Sequence, residues 1–170
     1  YPLLGRARVS APRPLFDPAP GRNRNSTKEQ DEAQAKGAPL EPAAAELIRG
    51  LVTEEPFAVL CTQGEGQPYG SVVAFAFDQD LRSFVFATPR ATRKFRLLSQ
   101  CERVALVVDN RGRFPGDFMK VGAVTVTGRA KQLEAGPEFD EWAGRLTARH
   151  PYLKSFVESP STALFRVHAI

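Results

Sequence analysis

Phe57-Ala-Val-Leu-Cys-Thr-Gln-Gly-Glu-Gly-Gln-Pro-Tyr-Gly-Ser-Val-Val-Ala-Phe-Ala-Phe-Asp-Gln-Asp-Leu-Arg-Ser-Phe-Val-Phe-Ala-Thr88 is the stretch whose pattern decides the fold. Residues 57–62 are a short apolar run of buried-strand length. Residues 63–67 are turn chemistry, with Gly64 and Gly66 free to take positive φ. Residues 68–77 predict a second strand, residues 78–81 turn the chain again, and residues 83–88 predict a third strand. Connections this short join antiparallel neighbours, because a parallel crossover needs a dozen residues or more.

Upstream, Ala43, Leu47, Ile48 and Leu51 recur at helical spacing. Pro42 suits a first helical turn and Pro56 stops the helix, which is placed at 42–53. Downstream, Phe95, Leu98 and Cys101 share one face of a helix at 92–100. A fourth strand is expected at 103–109, a long loop with Gly112, Pro115 and Gly116 at 110–122, and a fifth strand at 123–133. A helix follows at 137–149, and His150-Pro151 bends the chain into a helical piece at 152–158 before a sixth strand at 162–168. Hairpins interrupted by short helices exclude a regular βαβ sheet. They predict a mainly-β fold, a six-stranded antiparallel β-barrel with flanking helices. No internal repeat is present.

The chain of 170 residues is 42% hydrophobic and 25% charged, ordinary for one soluble globular domain. No apolar stretch is long enough to cross a bilayer, and the start lacks the pattern of a secretory signal. The chain does not begin with Met, as in a processed product or a fragment. Residues 1–40 are rich in Pro, Arg, Ala, Asn and Gly, with few large apolar side chains. They are expected to form a flexible arm, disordered or docked on a partner subunit through residues 1–4 and Leu15-Phe16. The domain is then 41–170. The arm holds seven Arg and Lys against four acids, and the remainder sixteen against fifteen. The net charge of +4 therefore sits mostly in the arm, which argues against a nucleic-acid domain. Cys61 and Cys101 have no CxxC partner and read as small buried apolar residues in a reducing cytoplasm.

Chemistry concentrates in Phe86-Ala-Thr-Pro-Arg-Ala-Thr-Arg-Lys-Phe95. A strand ends at Thr88, and Thr92 is the natural N-cap of a helix that begins with Arg93 and Lys94. Free N–H groups, the positive end of the helix dipole, a hydroxyl and two cations meet there, which suits a phosphate dianion. Cations at a helix N-terminus work against the dipole unless an anion neutralises them. The alternative is a solvated basic turn on a surface helix.

The order strand, Ala87-Thr88, turn, Thr92-Arg-Lys94, then Arg103-Val-Ala-Leu-Val107 resembles the FMN-binding split barrel of the pyridoxamine 5'-phosphate oxidase-like family. Gln67-Pro-Tyr-Gly-Ser-Val-Val73 is similar to that family's second strand, and Val124-Thr-Val-Thr-Gly128 to a later barrel strand. Arg149-His-Pro-Tyr-Leu153 resembles the haem-utilisation branch and its unassigned relatives. The likeness runs over 43–170. It implies a homodimeric, FMN-binding, flavin-dependent oxidoreductase acting on a small-molecule substrate or electron donor. Thr92, Arg93 and Lys94 would hold the FMN phosphate, and Ala87 and Thr88 would line the phosphate and ribityl path. Tyr69, Gly70, Ser71, Val72 and Val73 would lie along the flavin ring through their backbone. Asn110 and Arg111 would reach the ring or ribityl, from the other subunit if the site lies at a dimer interface. Haem or a deazaflavin as the working ligand, and a non-catalytic dimeric flavin-binding module, are the alternatives.

The departures are informative. Cys101-Glu102 stands where relatives often have Asn-Pro or Asp-Pro before the Arg-Val strand. True pyridoxamine phosphate oxidases carry Trp and Arg substrate residues in a C-terminal segment. Here the one Trp is Trp142, on a predicted helix, so a role in pyridoxine metabolism is not expected. A strand that typically follows Arg166-Val167 is missing or cut off, and an unpaired barrel edge there would need cover from the partner, the arm or missing residues. His150 reads as a helix-terminal polar residue rather than a haem or metal ligand, and His168 as solvent-facing. No zinc spacing, nucleophile elbow or phosphate loop is present. Phe114, Phe118 and Met119 could cover a cofactor as a lid or pack on a dimer partner.

Overall fold

The period-2 stretch at 57–88 forms the expected meander, and its hairpins set the rest of the barrel. The computed structural model describes residues 41–170, so the predicted arm lies outside the described residues. In chain order the elements are α1 (Pro42–Glu54), β1 (Phe57–Gly64), β2 (Gln67–Phe77), β3 (Ser83–Pro89) and α2 (Arg93–Gln100). Then come β4 (Arg103–Asp109), β5 (Ala123–Gln132), α3 (Pro137–Arg149), α4 (Lys154–Val157) and β6 (Thr162–Ala169). The loop 110–122 carries two 3-10 turns, Arg111–Arg113 and Phe118–Lys120.

The strands close into a barrel in the order β1-β2-β3-β6-β5-β4, with every neighbouring pair antiparallel. This corrects the expected open edge: β6 lies between β3 and β5, from Ser83↔His168 on one side to Gly128↔Ala169 on the other.

Inward side chains fill the barrel: Leu60, Phe75, Phe84, Phe86, Leu106, Val108 and Val167 are all within 1% of complete burial. Each contributes roughly 1.5–3 kcal/mol of burial free energy. Val52 of α1 and Leu98 of α2 join this core. α1 ends just before β1 begins, while Leu97 of α2 lies against Gly64 at the far end of β1. The two helices thus close opposite ends of the barrel. A side chain at Gly64 would collide with Leu97, which is why this strand end is glycine.

β3 and β6 are buried on both faces, because Trp142, Leu146 and Val157 of α3 and α4 pack on their outer side against Val85 and Leu164. Their near-continuous apolar runs reflect this double burial. β1, β4 and β5 alternate instead, with one face in the core.

One seam is incomplete. β1 and β2 pair along their whole length, from Phe57↔Ala74 to Gly64↔Gln67. β2 and β3 pair only at Phe75↔Phe86, Ala76↔Val85 and Phe77↔Phe84. Towards the α2 end they diverge, and residues 67–74 of β2 face a split.

Candidate functional site

The split is bounded by the edge of β2, the end of β3 and the start of α2. Thr88 is fully buried at the end of β3, with its Oγ1 3.0 Å from Oγ1 of Thr92. Thr92 Oγ1 donates to the Pro89 carbonyl at 2.9 Å and accepts the Phe95 N–H at 3.3 Å. A hydroxyl has one proton and two lone pairs. With Thr88 donating, all are in use. The Thr92 side chain therefore caps α2 and has no capacity left for a phosphate. What it presents is backbone: the amides of Arg93 and Lys94, which have no acceptor within the helix.

Lys94 leans across the split, and its Nζ donates to the Val72 carbonyl at 3.3 Å. Burial without a compensating charge lowers its pKa from the ordinary lysine value. Arg93 diverges from it, with its guanidinium carbon 4.9 Å from the centroid of the Tyr69 ring. Neither cation forms an ion pair with a carboxylate among the described residues.

In an antiparallel strand the N–H and C=O of one residue point to the same side. Since the Val72 carbonyl faces the split, so does its N–H, and so do the polar groups of Gly70 two residues away. The Ser71 hydroxyl is buried with no hydrogen-bond partner. An orphaned buried hydroxyl of this kind is costly unless something else completes it. At Gly70 a side chain would meet only Val59, at an ordinary 3.6 Å, so packing within this chain does not require glycine there.

Four expected site residues stand elsewhere. Val73 is a core side chain, 5% exposed. Ala87 points outward and packs with the cluster under α3, so only its backbone borders the split. Asn110 and Arg111 lie at the α1 end: Asn110 Oδ1 accepts the Gly122 N–H at 2.8 Å and clasps the loop, and Arg111 Nε pairs with Asp109 at 2.8 Å. Asn110 lines a groove of about 870 Å³ with Leu47, Leu51 and Glu54 of α1. Within one chain they do not meet Lys94.

Sequence reasoning missed the Arg149 clasp. Its Nη2 donates to the carbonyls of Val52 (2.6 Å), Thr53 (3.2 Å) and Glu55 (2.7 Å), closing the C-terminus of α1. The guanidinium stacks over Phe75 and Phe77, and desolvation lowers its pKa. His150 stands at the C-cap of α3, as expected, and is buried there, 2% exposed. Nε2 meets the Phe75 carbonyl at 3.0 Å and Nδ1 the Tyr152 hydroxyl at 3.3 Å, so neither nitrogen is free for iron. His168 is exposed, as expected. Cys61 and Cys101 are free thiols, half-buried rather than buried. Phe118 and Met119 are 84% and 90% exposed, so within this chain they form no lid. Among the described residues no group of His, Cys, Asp or Glu could hold a metal, and no helix is long and apolar enough to cross a membrane.

The sequence model of the family described as pyridoxamine 5'-phosphate oxidase matches residues 40–169. A search of curated proteins gave no significant match. Among solved structures, a protein of unknown function from Agrobacterium tumefaciens is similar with a TM-score of 0.62 and 25% identity, covering 78% of this chain and 59% of that one. A haem-binding protein from Mycobacterium smegmatis has a TM-score of 0.65 and 18% identity, covering 76% and 52%. A FAD-binding protein from Mesorhizobium loti has a TM-score of 0.60 and 18% identity, covering 74% and 87%. At that identity the last two show the fold alone. The chain spans between about half and three fifths of the length of the first two.

Proposed function

We propose that this chain, which belongs to the pyridoxamine 5'-phosphate oxidase family, binds FMN in the split between β2 and β3 and acts as a flavin-dependent oxidoreductase on a small-molecule substrate or electron donor. The observation that carries the reading is Lys94. It is a half-buried ammonium with a neutral carbonyl as its partner and no carboxylate, beside two free helix amides and an orphaned serine hydroxyl. A phosphate dianion resolves the first two deficits, and a polar edge of a flat ring resolves the third.

FMN, when bound, supplies the electron transfer at its ring. The chain supplies position. Lys94, Arg93 and their amides hold the phosphate. Gly70 and Val72 offer the ring backbone donors and acceptors that β3 does not use. Thr88 and Thr92 fix the angle of the two amides. Asn110 and Arg111 reach such a site from a second copy, so the working form is a homodimer. Two free thiols are compatible with a reducing compartment, and the cytoplasm is the location this reading takes.

FMN titration of the double variant Arg93→Ala, Lys94→Ala tests this. Two charge-assisted contacts are worth about 1.5–3 kcal/mol each, so affinity falls by about a hundredfold or more. Riboflavin, which lacks the phosphate, loses far less. Equal FMN affinity in wild type and variant rejects the assignment. The absorbance spectrum of the native protein separates FMN from haem, whose reading gains nothing from the fully engaged His150.

A further inference from the structure

A second cavity opens beside the split, between the β1–β2 hairpin and α2. It holds about 280 Å³ and is lined by Gly64, Glu65, Gln67, Arg93, Arg96, Leu97 and Gln100. We propose that this cleft binds the phosphate or carboxylate group of a small-molecule ligand, with Arg96 as its anchor. The cleft shares Arg93 with the flavin reading, whereas its anchor, Arg96, has no part in that reading.

Charge is the first argument. Arg93 and Arg96 are one turn apart on the same helix face, where like charges repel. Residues 89–100 contain Arg90, Arg93, Lys94 and Arg96 and no acid. None of these four forms an ion pair among the described residues. The guanidinium of Arg93 is already oriented by the Tyr69 ring, so less rotational freedom remains to be lost when an anion arrives.

Shape is the second. At this volume the cleft lies at the lower edge of ligand-pocket sizes, which suits one end of a metabolite rather than a whole cofactor. The amides of Gln67 and Gln100 add neutral donors, and Leu97 forms an apolar floor against Gly64.

The hairpin tip is the third. Glu65 has φ 53° and Gly66 φ 78°, so both turn residues are left-handed. Asn-Gly is the favoured pair in such a turn, and a glutamate there is strained. Strain of this kind concentrates where a side chain is needed for function. Glu65 lines the cleft opposite the arginines without pairing with either. It repels an anion that fails to seat on the helix wall, and accepts from a hydroxyl or amine on a ligand that does.

The test titrates the full chain, carrying whatever FMN it retains, with inorganic phosphate at constant ionic strength, following the backbone amide resonances of residues 64–67 and 96–100. Saturable shifts are expected in wild type. Arg96→Gln should bind phosphate at least about tenfold more weakly, the loss of one charged contact. Lys94→Ala should leave these shifts unchanged. A parallel titration with acetate identifies the ligand class by which anion saturates first. No saturable shift in wild type, shifts that survive Arg96→Gln, or shifts lost with Lys94→Ala would each overturn the proposal. FMN retention, measured on the same samples, reports on the flavin site separately.

Discussion

Lys94 carries its charge where the fold disfavours it. Its ammonium is half-buried, and desolvation is the cause of its lowered pKa. In the unfolded chain the same group keeps its proton up to the usual lysine range. The unfolded state therefore binds more protons between the two values, and stability rises with pH across that window. Below the folded pKa the penalty is fully present. Lys94→Met removes the buried charge while keeping most of the apolar stem. The ligand-free variant is expected to be more stable than wild type at neutral pH and to lose the alkaline rise. Urea midpoints near neutrality and at alkaline pH approaching the usual lysine range check both, and a variant less stable than wild type at neutrality would contradict the argument. Under the proposed function the same substitution is expected to weaken FMN binding, so residue 94 would trade stability for an anion. Thr92 shows the complementary economy: its hydroxyl is spent on the helix cap and on Thr88, and contributes to the site only by aiming amides.

The β1–β2 hairpin shows what an element takes from its residues. Its two-residue turn puts Glu65 in the left-handed region, which disfavours any side chain by roughly 1–2 kcal/mol. Glu65→Gly is therefore expected to stabilise the protein by about 1 kcal/mol, while Gly64→Ala destabilises it through the collision with Leu97. Thermal unfolding of the two variants should shift in opposite directions, and a destabilising Glu65→Gly would show that Glu65 makes a contact worth more than its strain. The hairpin also shows where sequence reading stops. Alternation at 57–88 and the turn residues were enough for three antiparallel strands, and α3 and β4 follow their apolar periods to the residue. The turn lies within 63–67 as expected, at Glu65-Gly66, but of the two glycines only Gly66 takes positive φ, and Gly64 is a strand residue beside Leu97 of α2. Local pattern carries no information about a helix thirty residues on. For the same reason Thr92, Arg93 and Lys94 were legible as a helix start, whereas the outward turn of Ala87, the clasp of Arg149 and the burial of His150 were not. Each of those depends on what packs against it.

The barrel as a whole is covered unevenly. α3 and α4 shield the outside of β3 and β6. Away from Ala76, which packs under α3, the middle of β1, β2 and β4 presents apolar residues outward among the described residues. The register sets Val72, Val59 and Val107 in one cross-strand row and Gly70, Cys61 and Ala105 in the next. Val72 is 66% exposed and Phe57, at the α1 end of the same face, 50%. A second copy placed on this face by a twofold axis would bury the rows against each other. The split holding Lys94 opens near one end of the face, and Asn110 and Arg111 stand near the other. A twofold pairing of this kind would bring the loop of one subunit to the split of its partner. Phe57→Glu tests this without touching the split. A charge buried in an apolar interface is strongly unfavourable, whereas at a half-exposed position of the lone subunit it is tolerated. The expected result is a monomer in sedimentation equilibrium with an unchanged far-ultraviolet dichroism spectrum. Its FMN affinity should fall by about tenfold or more, the loss of a contact worth at least 1.4 kcal/mol, although residue 57 is remote from the phosphate position. A Phe57→Glu protein that stays dimeric would remove this face as the interface. One that becomes monomeric yet binds FMN as tightly as wild type would show that a single chain makes the whole site.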